Sequence, residues 1–300
     1  MVDDRQLTMC ARTLAARLEP LIGQVYFSPE AHANYVALGF APSPGTFGNV
    51  AMPDGPAYFT SRGSLLGQVE PEVVAAAFGV FKPEVVVDGV VTGWSLTDAP
   101  TIFAARRRGA VAQLERVLGP ATADTDRAAD MLTRAVEPLR PEGRPLFAGL
   151  RSQYDDPSDP WTRFFHLGDM LREYRGDAHI AAWTSAELDA TEVGLLTELY
   201  IGLPLRTYIR TRAWNDEEMD AAVGRLEERG WMEGDALTDA GRAGREAIEF
   251  ATDGALRNAF ARIGDDSNEL FNLLAPWGQA MRDAGGYIGG PVDLWPSDRR

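Results

Sequence analysis

WTRFFHLGDMLREYRGDAHIAAW (Trp161–Trp183) and, after five residues, DATEVGLLTELYIGLPLRTYIRTRAWNDEEMDAAVGRLEERGWMEGDALTDAGRAGREAIE (Asp189–Glu249) make up the stretch around which this chain is organised. Phe164 to Trp183 reads as one helix, or two nearly continuous ones broken near Gly176. Arg172, Arg175 and His179 fall at i, i+3 and i+7, so three cationic or titratable side chains share a face. Asp177, at the expected break, is placed to cap the following helix and to accept from an arginine. Downstream, a helix is expected over Asp189–Leu203, a second short one over Pro204–Trp214, and a third from Asn215 to Arg229. Gly230 ends the third in the left-handed manner, and Leu237-Thr238-Asp239-Ala240-Gly241 opens another long helix.

Upstream, Leu7, Cys10, Ala11, Leu14, Leu18, Leu21 and Ile22 recur at three-and-four spacing, which predicts an amphipathic helix over Asp3–Gln24. Ser28-Pro29-Glu30 starts a short helix that carries His32 and Tyr35 and stops at Gly39. Residues 41–56 have loop composition, and the segment after them places Tyr58 and Arg62 one turn apart. Pro71–Phe81 and Pro83–Trp94 both begin Pro-Glu and read as helices, with a short buried hairpin as the alternative that their valines allow. Helices are also expected over Asp98–Leu118, with Arg106, Arg107 and Arg108 on a solvated face, and over Asp124–Val136. EPLRPEGRP (137–145) reads as a hinge, giving an N-terminal helical domain over 1–140 and a C-terminal one over 141–300. The tail from Gly285 is expected to be extended and to cover a partner subunit. The fold class is therefore mainly α and multi-helical, with at most a short β-hairpin.

The third helix followed by RLEERGW and LTDAGRAGREAIE resembles the winged-helix domain of MarR-type regulators over about residues 178–252. YFSPEAHANYVALGF, AYFTSRGSLLGQV, LREYRGDAHIAAW and the LTDAG run are similar to an actinobacterial family of helix-turn-helix-like proteins. The resemblance implies a winged-helix scaffold and, by analogy, a homodimer. It does not extend easily to DNA. The helix that would enter the major groove leads with Asp216, Glu217, Glu218 and Asp220, whose carboxylates would face phosphates, and the wing, Met232 to Ala236, is short and acidic.

The bulk numbers agree with that exclusion. A net charge of −15 and a pI of about 4.7 disfavour phosphate backbones and anionic membranes. Hydrophobic residues at 45% and charged at 24% are the proportions of a soluble globular protein, and the start, MVDDRQLTMC, has no leader pattern, so a cytoplasmic location is expected. Cys10 is the lone cysteine and reads as a small packed residue. The three histidines, His32, His166 and His179, share no metal-binding spacing, and neither a GxSxG elbow nor a glycine-rich phosphate loop occurs.

What remains is an aromatic and cationic set on separate helices: Tyr26, His32, Tyr35, Tyr58, Arg62, Arg172, Arg175, Asp177, His179 and Trp183. Packed together between the two halves, these residues would line a small-molecule pocket whose arginines suit an anionic ligand. The leading expectation is thus a ligand-binding protein of winged-helix ancestry that does not bind DNA. One alternative is an enzyme using the same pocket, haem- or metal-assisted through His179, His166 or His32. The other is a MarR-like regulator that places Arg206, Arg210 and Arg212 on DNA.

Overall fold

The computed structural model describes residues 3–288. Beyond residue 288 the tail expected to be extended lies outside the described residues. Helix α1 (Asp4–Ile22) starts where the Asp3 carboxylate accepts from the Gln6 N–H at 2.7 Å, and it buries Leu7, Ala11, Leu14, Leu18 and Leu21. A 3₁₀ turn (Gly23–Tyr26) leads to α2 (Pro29–Val36), capped by Ser28. The loop over 41–56 is not wholly irregular: Gly48, at φ 59°, turns β1 (Thr46–Phe47) back onto β2 (Val50–Ala51).

Helix α3 (Gly55–Gly63) precedes the two valine-rich segments, which are helical: α4 (Pro71–Phe78) and α5 (Pro83–Leu96). Proline fills the first turn of both, where its missing N–H costs nothing, and the glycines of α5 let it lie close to α3. A Cβ on Gly93 would stand 1.8 Å from the Thr60 hydroxyl oxygen. Then follow α6 (Ala99–Leu118), α7 (Ala123–Val136), α8 (Pro145–Ser152) and α9 (Pro160–Ser185).

Of the two readings of Phe164–Trp183, the single helix holds: α9 runs unbroken for 26 residues, with Gly176 inside it. A mid-helix glycine costs only about 1 kcal/mol. That is small beside the apolar burial of Trp161, Phe164, Phe165 and Leu171 along the same helix, at roughly 2 kcal/mol each. Helix α9 packs against α1, α6, α7, α8 and α12 (Asp239–Gly254), and its exposed residues, Ala181, Thr184 and Ser185, lie at its C-terminal end.

The second part of the opening stretch forms the expected first and third helices, the hairpin and the long helix after it. In α10 (Ala190–Ile201) and α11 (Asp216–Glu228) the caps are reciprocal, Asp189 with Glu192 and Asn215 with Glu218. The strands β3 (Met232–Glu233) and β4 (Ala236–Leu237) form a minimal wing around Gly234. The helix expected over Pro204–Trp214 is a correction: only a 3₁₀ turn, Ile209–Arg212, forms there. The buried Glu198 carboxylate takes the N–H groups of Arg206 at 2.6 Å and Ile209 at 2.7 Å, and Arg206 and Ala213 adopt φ of 65° and 68°. Those bonds satisfy the backbone without a helical ladder.

Two apolar clusters result. One draws on α1 to α9 together with α13 (Arg257–Ile263) and α14 (Ser267–Asp283). The other is built from Trp183, Leu188, Val193, Leu196, Ile209, Met219, Leu226, Met232 and Ile248. Helix α9 runs from the first into the second.

Candidate functional site

Helix α9 carries Asp169, Arg172 and Glu173 at i, i+3 and i+4, and both carboxylates are fully buried. Each meets a cation from another helix. Arg106 of α6, 1% exposed, donates to Asp169 at 2.6 Å. Arg62 of α3 forks onto Glu173 at 3.1 and 2.8 Å, and its guanidinium lies 4.5 Å from the Phe78 ring centroid. Arg172 forks onto Glu19 of α1 at 2.8 and 3.0 Å and also donates to Glu173 at 2.8 Å. The hydroxyl of Tyr26 accepts from Arg106 and from Arg172, each at 3.4 Å, and the Tyr58 ring centroid stands 5.0 Å from that of Tyr26.

Burial by itself would raise the Glu173 carboxyl, but the guanidinium groups of Arg62 and Arg172 hold it well below the usual carboxylate range. Burial raises the Tyr26 phenol, against the pull of Arg172 and Arg106, so it stays neutral. The cluster thus gives each of its three guanidinium groups a carboxylate partner, around a neutral phenol.

A second network lies farther along α9 and joins it to α12. Arg175 donates to Glu249 at 2.8 Å, Arg245 pairs with the same carboxylate at 2.7 Å, and Arg12 of α1 reaches Asp253 at 2.8 Å and Glu246 at 2.7 Å. The hydroxyl of Thr252 donates to the Ile248 carbonyl, so His179 is the donor in its 3.0 Å contact with Thr252 and carries its proton on Nδ1. Burial, reinforced by Arg245 and Arg175 against Glu249, lowers the His179 imidazole to about 3.

The ten residues singled out from the sequence are thus distributed. Tyr26, Tyr58, Arg62 and Arg172 meet in the first network. His32 joins them, since its Nε2 bonds the Tyr26 carbonyl at 2.9 Å, and Tyr35 lies buried with its ring centroid 6.5 Å from that of His32. Arg175 and His179 belong to the second network. Asp177 accepts from the Phe147 N–H at 3.0 Å, at the start of α8, in place of the arginine expected for it. Burial raises this carboxyl to about 7. Trp183 sits in the second apolar cluster, against Gly79 and Ile180.

Arg106, Asp169, Glu173 and Glu19 are the members that sequence reasoning does not single out. Arg106 is a correction: expected on a solvated face, it shares the buried stripe of Ile102, Gly109, Ala110 and Gln113, while Arg107 pairs with Asp155 and Arg108 is exposed. Its phase with those residues is the signal available along the chain.

The start of α11 and the turn before it are docked on the segment between α4 and α5. Trp214 donates to the Val80 carbonyl at 3.0 Å, the Lys82 N–H to the Arg212 carbonyl at 3.0 Å, and the Lys82 ammonium to Glu218 at 2.6 Å. Asp216, Glu217 and Asp220 remain exposed on α11. Arg206 pairs with Asp220 and Arg210 with Asp216, and Arg212 stacks on Tyr208 and Phe81 at 4.3 and 4.6 Å.

Each histidine has a local partner, His166 bonding the Leu150 carbonyl at 2.9 Å. Among the described residues no group of three or more His, Cys, Asp or Glu is arranged to hold a metal, and no helix is long and apolar enough to cross a membrane. A model of a helix-turn-helix family matches residues 11–288. No curated protein and no solved structure matches the chain.

Proposed function

The chain belongs to this helix-turn-helix family, and we propose that it binds a small molecule at the Tyr26 cluster and does not read DNA through α11. One observation supports the ligand reading. Three buried polar atoms of the cluster have no partner among the described residues: Arg106 Nε, Asp169 Oδ1 and His32 Nδ1. Buried polar groups of that kind cost roughly 1–3 kcal/mol each unless something else bonds to them. A buried ion network is also seldom more stabilising than apolar packing of the same volume, which points to a use for it other than stability.

Against DNA stand the exposed carboxylates of α11 and the commitment of Arg206, Arg210 and Arg212 within the chain. The enzyme reading would use the same cluster, with His32 as its nearest titratable base; a colourless, metal-free preparation removes its haem and metal versions. Native mass spectrometry of the purified chain, incubated with a metabolite extract, tests the main proposal. A retained small-molecule mass, lost on Arg106→Met, is the expected result. No retained species, together with salt-dependent binding to genomic DNA fragments at low ionic strength, would replace this reading with that of a regulator, for which a homodimer is the expected form.

A further inference from the structure

The start of α10 and one side of α11 flank a surface cleft of about 250 Å³ that shares no residue with the Tyr26 cluster. Trp214 forms one wall, and Ala190 and Ala221 are its small apolar residues. The Trp214 indole N–H is taken by the Val80 carbonyl at 3.0 Å, so what the side chain offers the cleft is carbon surface. Thr191 also lines the cleft; it is only 4% exposed, and its hydroxyl has no hydrogen-bond partner among the described residues. A buried hydroxyl in that position calls for a polar group arriving from the cleft.

The charged residues of the lining are Asp189, Glu218 and Arg225. Asp189 accepts the N–H groups of Thr191 and Glu192 at 2.9 and 2.8 Å with one oxygen and Arg225 with the other. Glu218 accepts the Lys82 ammonium at 2.6 Å with one oxygen and the Asn215 N–H at 2.9 Å with the other. An ionised carboxylate takes about four hydrogen bonds, so both keep acceptor capacity, Glu218 the more. Arg225 has none to give, since it is held by Asp189 and, at 3.2 Å, by Glu192.

An anion would meet two carboxylates and one guanidinium already committed to them. An apolar group would cover Thr191 and the carboxylates without bonding to them. A cation on an apolar stem fits both parts of the cleft, its stem along Trp214, Ala190 and Ala221 and its head on Glu218 and Thr191. Guanidinium suits this better than ammonium, because it is planar, stacks on an indole and can donate two parallel bonds to one carboxylate. The volume is that of a single side chain and the cleft is open to solvent, whereas small-molecule sites enclose most of their ligand. We propose that this cleft between α10 and α11 seats an arginine side chain presented by an exposed basic segment of another polypeptide. The net charge of −15 attracts such a segment from a distance.

Titration of the whole nitrogen-labelled chain with acetyl-Gly-Arg-Gly-amide, followed by nuclear magnetic resonance, tests the site, with the lysine and citrulline peptides as comparisons. Saturable shifts are expected at the Trp214 indole N–H and at the amides of residues 189–191 and 218–225, with a dissociation constant of about 1 mM that rises with salt. The lysine peptide should bind about threefold more weakly, and Glu218→Gln should weaken the arginine peptide about fivefold. Ala221→Arg, at an exposed position, places a competing guanidinium beside the cleft and should abolish the shifts while leaving the thermal melt unchanged; it serves alone should Glu218→Gln fail to fold. Equal binding of the citrulline peptide overturns the charge assignment. Shifts that are absent, or that lie elsewhere, overturn the site. The same shifts on concentrating the chain without peptide would give the cleft to a second copy and overturn the separate partner.

Discussion

Asp177 gives the most discriminating single test of how α9 is embedded. Its carboxylate reaches across to the first turn of α8, where it accepts from the Phe147 N–H at 3.0 Å, and its other oxygen is buried with no partner among the described residues. Burial, aided by the nearby Glu173 charge, raises the carboxyl from 3.8 to about 7, in spite of the two backbone N–H groups and Arg62. The folded chain therefore holds this proton more tightly than the unfolded chain. The stability contributed by the group is fully present below pH 3.8 and is lost as pH rises through 7. Between pH 5 and pH 8 the loss comes to about 3 kcal/mol, since each tenfold difference in proton affinity between the folded and unfolded chains is worth about 1.4 kcal/mol. Asp177→Asn keeps an oxygen for Phe147 and cannot ionise. Urea unfolding of both proteins at pH 5 and pH 8 should show similar midpoints at the lower pH and a clearly more stable variant at the higher one. An equal difference between the two proteins at both values would refute the raised carboxyl and the dry environment inferred for it.

His179 should act in the opposite direction at acid pH. Its imidazole is lowered to about 3, so the stability it contributes is present above the unfolded value of 6.5 and is lost as pH falls toward 3; His179→Gln should flatten that acid limb in thermal melts. Replacing Arg106 by Met leaves Asp169 buried without its cation, which should cost about 3–5 kcal/mol in urea unfolding, while Arg106→Met combined with Asp169→Leu should recover most of the loss. At Gly109 an added Cβ would stand 2.3 Å from the Ala31 Cα, a backbone atom that cannot move aside, so Gly109→Ala should destabilise the α2–α6 contact by about 2 kcal/mol, seen as a lowered Tm with unchanged helix content.

Much of the fold is legible along the chain because it rests on local chemistry. Asp3, Ser28, Asp98, Asp189, Asn215 and Thr238 all cap the helices that follow them, and proline opens α4 and α5 despite their valines. Caps and first-turn prolines act within three or four residues, so a linear reading finds them. The segment before α11 departs from expectation for the converse reason. Pro204–Trp214 has helical spacing, but Glu198, several residues upstream, takes its backbone N–H groups and leaves only a 3₁₀ turn.

Site legibility divides in the same way. The aromatic and cationic residue types near Tyr26 are visible along the chain, and so is the acidity of α11. The partners are not. Glu19 meets Arg172 across 153 positions of sequence, Arg62 meets Glu173 across 111, and Arg106 meets Asp169 across 63. Charge neutralisation inside a core depends on which helices pack together, and no periodicity along one helix encodes it. Residue order alone was enough to specify most of the helices, the hairpin after α11 and the acidity of α11, since caps, turns and helix-face charge are short-range properties. Helix packing was needed to give each guanidinium of the Tyr26 cluster its carboxylate, because those pairings join residues distant in sequence.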